Sequence, residues 1–473
     1  LYKSDSCIML VQSHFSQRLY GYTSVLLCVL CLTILFLYLN RVHPYYFIDE
    51  AFHIPQVLRY CDGNFTQWDP KITTLPGLYI ITALLLSPIN LCQTLYIRGI
   101  NLLGTFLNFY LVYRIVKEIS AASRTQKWDK RMQLAVTFNI TFLPPLFFWH
   151  FLYYTDVISV AMVLLALLFH IDKRPNLVAL AGLIAVLIRQ TNIIWIGFLA
   201  IERALDMLQW KLGKATDSKE VMLYYLLQLL WKLIQMKTNQ GPIVFLKFIL
   251  QICRDLLPYI AVCILFLVFL VWNKGIVVGD KSAHTVTVHV PQVLYFSLFA
   301  FAFSWPYMLT SVRKWWNFFV THWLAASLLI AVITIAVHSN TLVHSYVLAD
   351  NRHYVFYFWN RLMRRYKLFK YALIPIYSFT LFAMYCGFRH LRFATQLNYI
   401  LIVSAVLIPQ LLLEPRYFIL PYIFYRLSLP KPKPWQIVAE TFTTLLVNLL
   451  QFAIFVNKVF YWEDQPGPQR ISW

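Results

Sequence analysis

Long uncharged stretches recur along this chain of 473 residues and constrain its fold more than any other feature. Residues 256–273 and 318–337, for example, contain no Asp, Glu, Lys or Arg. Their lengths approach the roughly 20 apolar residues that a helix needs to cross a bilayer. Hydrophobic residues make up 60% of the chain, whereas soluble domains are about 45–50% apolar. We therefore predict an all-α polytopic membrane protein, because the apolar runs are continuous rather than alternating.

These stretches predict about 12–14 transmembrane helices in a single membrane domain covering residues 1–473. Residues 75–91 are also apolar, but we expect them to lie at the membrane interface, because a span there would put the basic cluster within 117–131 on the wrong side. Residues 177–204 are expected to form a helical hairpin with its tip at 189–192. The other predicted spans are 21–39, 98–116, 132–151, 156–171, 257–273, 291–309, 318–337, 371–388, 397–413, 417–428 and 435–456.

The charges between the spans predict which loops share a side of the membrane. The net charge of +21 comes from short basic clusters between apolar stretches, which is the pattern of the positive-inside rule rather than of a nucleic-acid-binding surface. Loop 40–97 has balanced charge and a glycosylation sequon at Asn64, so we place it on the non-cytosolic side. Loop 338–370 shares that side. The basic loop 205–256 is predicted to be cytosolic, with amphipathic helices on the membrane surface.

The eight cysteines are scattered and show no metal-binding spacing. Cys61 and Cys92 share the predicted non-cytosolic side, and the sequence leaves open whether they pair. No metal site is predicted.

An acidic pair follows the first predicted span, inside the apolar and aromatic run FIDEAFHIP. Asp49 and Glu50 at a membrane edge are costly unless they are solvated or used. A polar loop ending a helix is the simpler interpretation, and a catalytic pair at the interface is the alternative. The predicted topology gathers further polar residues on the same side. We list them as candidate substrate-binding residues: His53, Asp156, Arg189, Gln190, Asn192, Asp350, Asn351, Arg352, His353, Tyr354, Glu414, Arg416 and Tyr417.

The residue types in this set favour group transfer at a membrane surface. The chain lacks the GxSxG, HExxH, P-loop and GxGxxG motifs. Carboxylates, basic residues and amides remain, and these suit transfer of a group from a lipid-linked phosphate to a hydroxyl. A carboxylate removes the hydroxyl proton, while basic residues stabilise the charge that grows on the departing phosphate.

Several motifs resemble those of one family of membrane glycosyltransferases. The chain is similar to the dolichyl-phosphate-glucose α-1,2-glucosyltransferases of the asparagine-linked glycosylation pathway, which belong to the GT-C superfamily. A difference is Lys274, where the resemblance predicts glycine. The matching stretches run from Asp49 to Arg426 and are DEAFHIPQ, YCDGNFTQWDPKITTLPGLY, FLYYTD, RQTNIIW, KGIVVGD, LADNRHYVFYFW and EPRYFILPYIFYRL.

The resemblance implies a GT-C fold with interfacial helices in the first lumenal loop, and an active site on the lumenal face of the endoplasmic reticulum membrane. The donor would be dolichyl-phosphate-glucose. The acceptor would be the diglucosylated oligosaccharide Glc2Man9GlcNAc2 on dolichyl diphosphate. The reaction would invert the anomeric centre without a metal or other cofactor. Asp49 would be the general base, and Glu50 would orient substrate or order the loop.

Two alternatives remain open at this point. One is another dolichyl-phosphate-sugar transferase of the same superfamily, such as a mannosyltransferase, which the acid in the first loop does not distinguish. The other is a transporter or channel subunit, which would require charges deep within the spans. The midpoints of 257–273, 318–337 and 397–413 are uncharged, which disfavours it. The sequence predicts no protein partner.

Overall fold

The computed structural model describes residues 26–122, 128–212, 228, 231–232, 234–235, 237–238, 241–281, 286–463 and 467–473. Most of these residues are helical. The longer helices are α1 (Leu26–Val42), α2 (Glu50–Cys61), α3 (Gly77–Leu86), α4 (Thr94–Ala122), α5 (Lys130–Thr141), α6 (Pro144–Trp149), α7 (Thr155–Ile171), α8 (Pro175–Ile188), α9 (Asn192–Leu212), α10 (Pro242–Asn273), α11 (Pro291–Met308), α12 (Val312–Thr321) and α13 (Trp323–Asn340).

The second half of the fold continues in the same all-helical manner and ends in a short hairpin. Its elements are α14 (Ser345–Ala349), α15 (Tyr354–Phe358), α16 (Phe369–Ala372), α17 (Ile374–Phe388), α18 (Phe393–Leu407), α19 (Ile419–Leu427) and α20 (Pro434–Asn457), followed by strands β1 (Val459–Phe460) and β2 (Gln469–Arg470). The two strands pair antiparallel. The main hydrophobic core contains residues from α1 through α20.

The membrane-protein prediction agrees with the helix lengths. Within the described residues, six helical segments are long and apolar enough to cross a bilayer, and five further apolar helices are shorter. The predicted hairpin at 177–204 is present as α8 and α9, with a turn of three residues between Ile188 and Asn192. The interfacial helices predicted in the first loop correspond to α2 and α3.

Three predicted boundaries were wrong. The span at 132–151 is broken into α5 and α6 at Phe142 and Leu143, because Pro144 and Pro145 have no N–H to continue the helix. The span at 397–413 ends at Leu407. The span at 318–337 begins only at Trp323, because α12 stops at Thr321 and His322 adopts a non-helical conformation.

The basic loop is shorter than the predicted 205–256. Helix α9 continues to Leu212, and α10 already begins at Pro242. The segment between them lies largely outside the described residues.

A buried ion pair fixes the helix that follows the candidate site. Arg426 of α19 donates from Nε to Glu440 Oε1 of α20 at 2.7 Å, and both side chains are almost fully buried. The Tyr307 hydroxyl and the Asn139 amide also donate to Glu440, at 2.6 and 3.0 Å. Because breaking such a pair costs several kcal/mol, α19 has a defined position, and the segment just before it is held in place.

Candidate active site

Asp49 lies in the turn immediately before α2, and its side chain is 33% exposed. Its Oδ2 is 3.0 Å from Nη1 of Arg416. Its backbone N–H donates to the Tyr154 hydroxyl at 3.1 Å, and that hydroxyl donates to the Phe47 carbonyl at 2.9 Å. The buried Tyr154 side chain therefore holds this turn in place, while the Asp49 carboxylate remains partly exposed.

Glu50 has a different environment from its neighbour, although the sequence placed both in a catalytic pair. It is fully buried and receives two hydrogen bonds from Arg98 of α4, at 2.9 and 2.6 Å. The backbone N–H groups of Phe47 and Tyr153 also donate to it, at 3.0 and 2.7 Å. Both of its oxygens are occupied by protein donors. Glu50 is thus placed to order the loop, and it is poorly placed to accept a substrate proton.

Arg98 also binds the segment that leads from α1 into the first loop. Its guanidinium donates to Asn40 Oδ1 at 2.9 Å and to the carbonyls of His43 and Tyr45 at 3.0 and 2.7 Å. One arginine on α4 therefore fixes both the end of α1 and the start of α2. The disulfide between Cys61 and Cys92 joins the other end of α2 to the segment that precedes α4, and so answers the question of their pairing.

Arg416 lies between two carboxylates and above two aromatic rings. Its Nε donates to Glu414 Oε2 at 2.8 Å, in addition to the contact with Asp49. Its guanidinium carbon is 5.8 Å from the ring centres of both Trp149 and Tyr154. Burial is the largest influence on the pKa of Asp49 and raises it, but Arg416, His53 and His353 together outweigh burial and hold the pKa below its usual 3.8. The same balance lowers the pKa of Glu414. Both carboxylates are consequently ionised at neutral pH.

His53, one turn into α2, is close to this group but is not a cation at neutral pH. Burial lowers its pKa to about 4, and the nearby Arg416 contributes in the same direction. Its Nδ1 is 2.5 Å from the Tyr79 hydroxyl, and its ring contacts that of Tyr154 edge-on. The neutral imidazole of His53 therefore packs against Tyr79 and Tyr154 next to Asp49.

A cavity of about 340 Å³ adjoins Arg416. One part of its wall is apolar and includes Val160, Trp195, Val406 and Leu420. The polar part brings together residues that are far apart in the sequence. Six of the predicted substrate-binding residues line it: Asp156, Arg189, Gln190, Asn192, Arg416 and Tyr417.

Asp156 offers this cavity a carboxylate oxygen that no described residue satisfies. Its side chain is 2% exposed, and Oδ1 accepts a hydrogen bond from Arg189 Nη1. Its Oδ2 is buried without a hydrogen-bond partner among the described residues. Because a buried unsatisfied oxygen is unfavourable, this atom suits a hydroxyl donor supplied by a ligand.

Two of the lining amides are used mainly to build the site. The Asn192 amide donates to Ser159 Oγ and to the Ala185 carbonyl, both at 2.8 Å. The Gln190 amide donates to the Thr73 carbonyl at 2.9 Å and attaches the α8–α9 turn to the first loop.

The loop after α10 supplies lining residues that were not among the predicted substrate-binding residues. Lys274 and Lys281 line the cavity. Gly279 has φ +68°, and a Cβ there would lie 2.3 Å from the Pro70 carbonyl oxygen, so the close approach of the two loops requires glycine. Lys274 itself has φ +52°, a left-handed conformation that glycine adopts more readily, which gives a physical reason for the glycine expected there. In the sequence, the only feature that pointed to this loop was the stretch KGIVVGD, which resembles the glucosyltransferase family.

None of the residues from Asp350 to Tyr354 lines the cavity, although His353 is close enough to Asp49 and Glu414 to help lower the pKa of both carboxylates. Arg352 pairs with Asp350 at 2.7 Å, donates to Gln469 Oε1 at 3.2 Å and stacks over the Trp462 ring. His353 contacts the Trp473 carbonyl at 2.8 Å, and the Tyr354 N–H donates to the Ser472 carbonyl at 3.1 Å. Asn351 is part of the same turn. This stretch is therefore engaged by the C-terminal segment.

No group of three or more His, Cys, Asp or Glu side chains in the described part of the chain is arranged to hold a metal ion.

Comparison with known proteins places the chain in a family. The model of the DIE2/ALG10 family matches residues 43–427. A Drosophila melanogaster protein named "Dol-P-Glc:Glc(2)Man(9)GlcNAc(2)-PP-Dol alpha-1,2-glucosyltransferase" is 38% identical over 440 residues, which cover 93% of this chain and 96% of that protein. Proteins of the same name from Rattus norvegicus and Homo sapiens are 35% and 34% identical, and each alignment covers 96% of this chain and 99% of the relative. No solved structure matches. On the family match and these near full-length relatives, the chain belongs to the DIE2/ALG10 family.

Proposed function

We propose that this chain is an inverting α-1,2-glucosyltransferase that transfers glucose from dolichyl-phosphate-glucose to Glc2Man9GlcNAc2 on dolichyl diphosphate. The names of the relatives support these substrates. The observation that carries the proposal is the contact of Asp49 with Arg416 beside a cavity with one charged and one apolar wall. A carboxylate, a guanidinium and an apolar groove match the hydroxyl, the phosphate and the lipid of such a reaction.

Asp49 is the general base in this proposal. An acceptor hydroxyl gives its proton to the Asp49 carboxylate while its oxygen attacks C1 of the donor glucose from the face opposite the phosphate. The bond from C1 to the phosphate oxygen breaks, and dolichyl phosphate leaves as an anion without protonation. One base therefore suffices, and inversion converts a β-linked donor into an α-linked product. Assistance of this kind typically accelerates a reaction by about 10²–10⁴-fold.

Arg416 links donor binding to the strength of that base. In the structure it donates to Asp49 and Glu414 and lowers the pKa of both. A donor phosphate competes with Asp49 for the same guanidinium, because charge-assisted hydrogen bonds to phosphate are strong. Loss of that contact raises the pKa of Asp49 toward a value better suited to proton removal. The carboxylate thus becomes a stronger base once the donor is bound.

We propose one orientation for the donor in the cavity. Its phosphate would bind between Arg416 and Arg189, and Lys274 and Lys281 also line the cavity. Its isoprenoid chain follows the apolar wall that includes Trp195 and Leu420. The glucose then projects toward Asp49, and its hydroxyls reach the unsatisfied Oδ2 of Asp156.

We propose that this site faces the lumen of the endoplasmic reticulum. A disulfide between Cys61 and Cys92 lies in the same loop as Asp49, and disulfides persist in oxidising compartments. The sequon at Asn64 lies in the same loop, with Thr66 exposed. Both features support a lumenal position for the first loop.

Purified full-length protein with defined substrates tests the proposal. Dolichyl-phosphate-glucose is supplied with mono- or diglucosylated acceptor, and the added hexose is measured by mass spectrometry. We expect one glucose to be added to the diglucosylated acceptor, with an α-1,2 linkage, and activity to persist in EDTA. Transfer from dolichyl-phosphate-mannose in preference to the glucose donor would contradict the proposal and favour a mannosyltransferase.

A further inference from the structure

A second cavity lies at the opposite end of the transmembrane helices from Asp49. Its volume is about 750 Å³, and it is lined by residues of α12, the start of α13 and the last turns of α17. Helix α13 separates the two cavities: His322 at its start lines the second, and His344, just beyond its end, lines the first. Its 18 residues correspond to about 27 Å. The second cavity therefore does not belong to the candidate active site.

Two cations line this cavity. Lys314 and Arg389 line it, with Asn317, Thr321 and His322 as its other polar groups. No Asp or Glu is among the described residues that line it, and no ion pair involving Lys314 or Arg389 is found in the described part of the chain. Two cations without a carboxylate partner favour an anionic ligand.

The cavity also has an apolar lining. Leu329, Leu381, Phe382 and Tyr385 line it, and Tyr385 is 54% exposed. The Phe318 and Phe382 rings pack 5.2 Å apart at the junction of α12 and α17. These side chains offer an acyl chain an apolar surface in the same cavity as the two cations.

The shape of α12 explains why this groove lies at the membrane boundary. The helix is short and amphipathic, with the sequence VRKWWNFFVT, and Trp316 and Val320 on its surface are 63% and 62% exposed. Helices with this pattern lie in the interface with their aromatic residues at the level of the head groups.

We propose that this groove binds one anionic glycerophospholipid, with the phosphate between Lys314 and Arg389 and an acyl chain against Leu329 and Phe382. Charge complementarity selects this occupant. A zwitterionic lipid would also bring a quaternary ammonium group, for which the groove offers no carboxylate among the described residues. The cavity volume lies within the range of roughly 300–1,000 Å³ that is usual for ligand sites.

Lipid retention by the purified full-length protein tests this site. The protein is placed in nanodiscs of phosphatidylcholine containing a small fraction of phosphatidic acid, released into mild detergent, and examined by native mass spectrometry. We expect one phosphatidic acid to remain bound. Lys314→Gln with Arg389→Gln should weaken retention by roughly 30-fold, from about 1 kcal/mol for each basic residue near an anionic lipid surface and about 1.4 kcal/mol per decade.

Matched variants separate this site from general charge effects. Arg313→Gln with Lys117→Gln removes the same charge from exposed positions outside the groove and should retain the lipid as the wild type does. Equal retention by the wild type and the Lys314/Arg389 variant would overturn the proposal, as would equal retention of phosphatidylcholine. Displacement of phosphatidic acid by a lower concentration of dolichyl phosphate would also overturn it, because the groove would then belong to an isoprenoid phosphate.

Discussion

Asp49 and Arg416 are separated by 367 residues in the chain, and their side chains meet at 3.0 Å. Asp49 is positioned by the Glu50–Arg98 network, and Arg416 by the segment that leads into α19. The contact forms only when the first loop and this late segment dock on each other. Activity at this site therefore requires that the first loop and the segment before α19 are folded and docked on each other.

The contact predicts a change in pH dependence when Arg416 is replaced. Burial raises the pKa of Asp49, and Arg416 is the largest influence that lowers it again. In the free enzyme the wild-type carboxylate is ionised above its lowered pKa, so kcat/KM for the donor falls only as the pH drops through that pKa. In Arg416→Gln the effect of burial dominates, and the acidic limb of residual kcat/KM should move to higher pH.

Arg189→Gln is the matched control for this shift. Arg189 lines the same cavity but pairs with Asp156 instead of Asp49. It should reduce kcat/KM while leaving the acidic limb in place. An unchanged limb in Arg416→Gln would show that the guanidinium does not control the ionisation of Asp49.

Glu50→Gln should destabilise the fold. Its carboxylate is fully buried and binds Arg98 through both oxygens, and breaking one side of a buried ion pair costs about 3–5 kcal/mol. A thermal melt in detergent should show a clear decrease in Tm. Asp62→Asn, at the exposed end of the same helix, should melt like the wild type. Equal melting of both variants would remove Glu50 from its role in ordering the loop.

Asp156→Asn should weaken use of the donor selectively. The unsatisfied Oδ2 is available to a glucose hydroxyl, and the substitution also removes the charge paired with Arg189. Hydrogen bonds to charged groups are worth about 1.5–3 kcal/mol, or roughly 10- to 150-fold. The KM for dolichyl-phosphate-glucose should rise by about that factor while the KM for the acceptor changes little. A rise confined to the acceptor would place Asp156 in the other subsite.

The proposed orientation predicts opposite accessibility at two exposed lysines. Lys71 lies in the first loop and Lys117 near the far end of α4. In intact microsomes, a membrane-impermeant maleimide should label Lys117→Cys and should reach Lys71→Cys only after permeabilisation. Labelling of both without permeabilisation would contradict the orientation.

Local patterns in the sequence predicted much of this arrangement, and long-range contacts explain what they missed. Apolar periodicity and length were enough for α7 and for the α8–α9 hairpin. Pro144 and Pro145 were visible signals of the break before α6, but the length of the apolar run was given more weight. The partners of Asp49 and Glu50 were harder to predict, because these adjacent residues look alike in sequence. In the structure Glu50 is buried against Arg98, whereas Asp49 is partly exposed and meets Arg416.

The stretch at 350–354 illustrates the same limit. Its residues are predicted to bind substrate, and in the structure Arg352 also meets Gln469 across 117 residues and His353 meets Trp473 across 120. Nothing local in the sequence indicates these partners. By contrast, the cavity lining at Arg189 was predictable, because a basic residue at the tip of a hairpin between two apolar helices must lie at a membrane face.

The account depends most on Asp49 as the base, and Asp49→Asn tests it most directly. The amide keeps the size of the side chain and can still contact Arg416, but it cannot accept the acceptor proton. With dolichyl-phosphate-glucose and the diglucosylated acceptor, kcat should fall by about 10²–10⁴-fold, while Tm and the binding of both substrates remain close to those of the wild type. A kcat within a few-fold of the wild-type value in correctly folded Asp49→Asn would contradict the account.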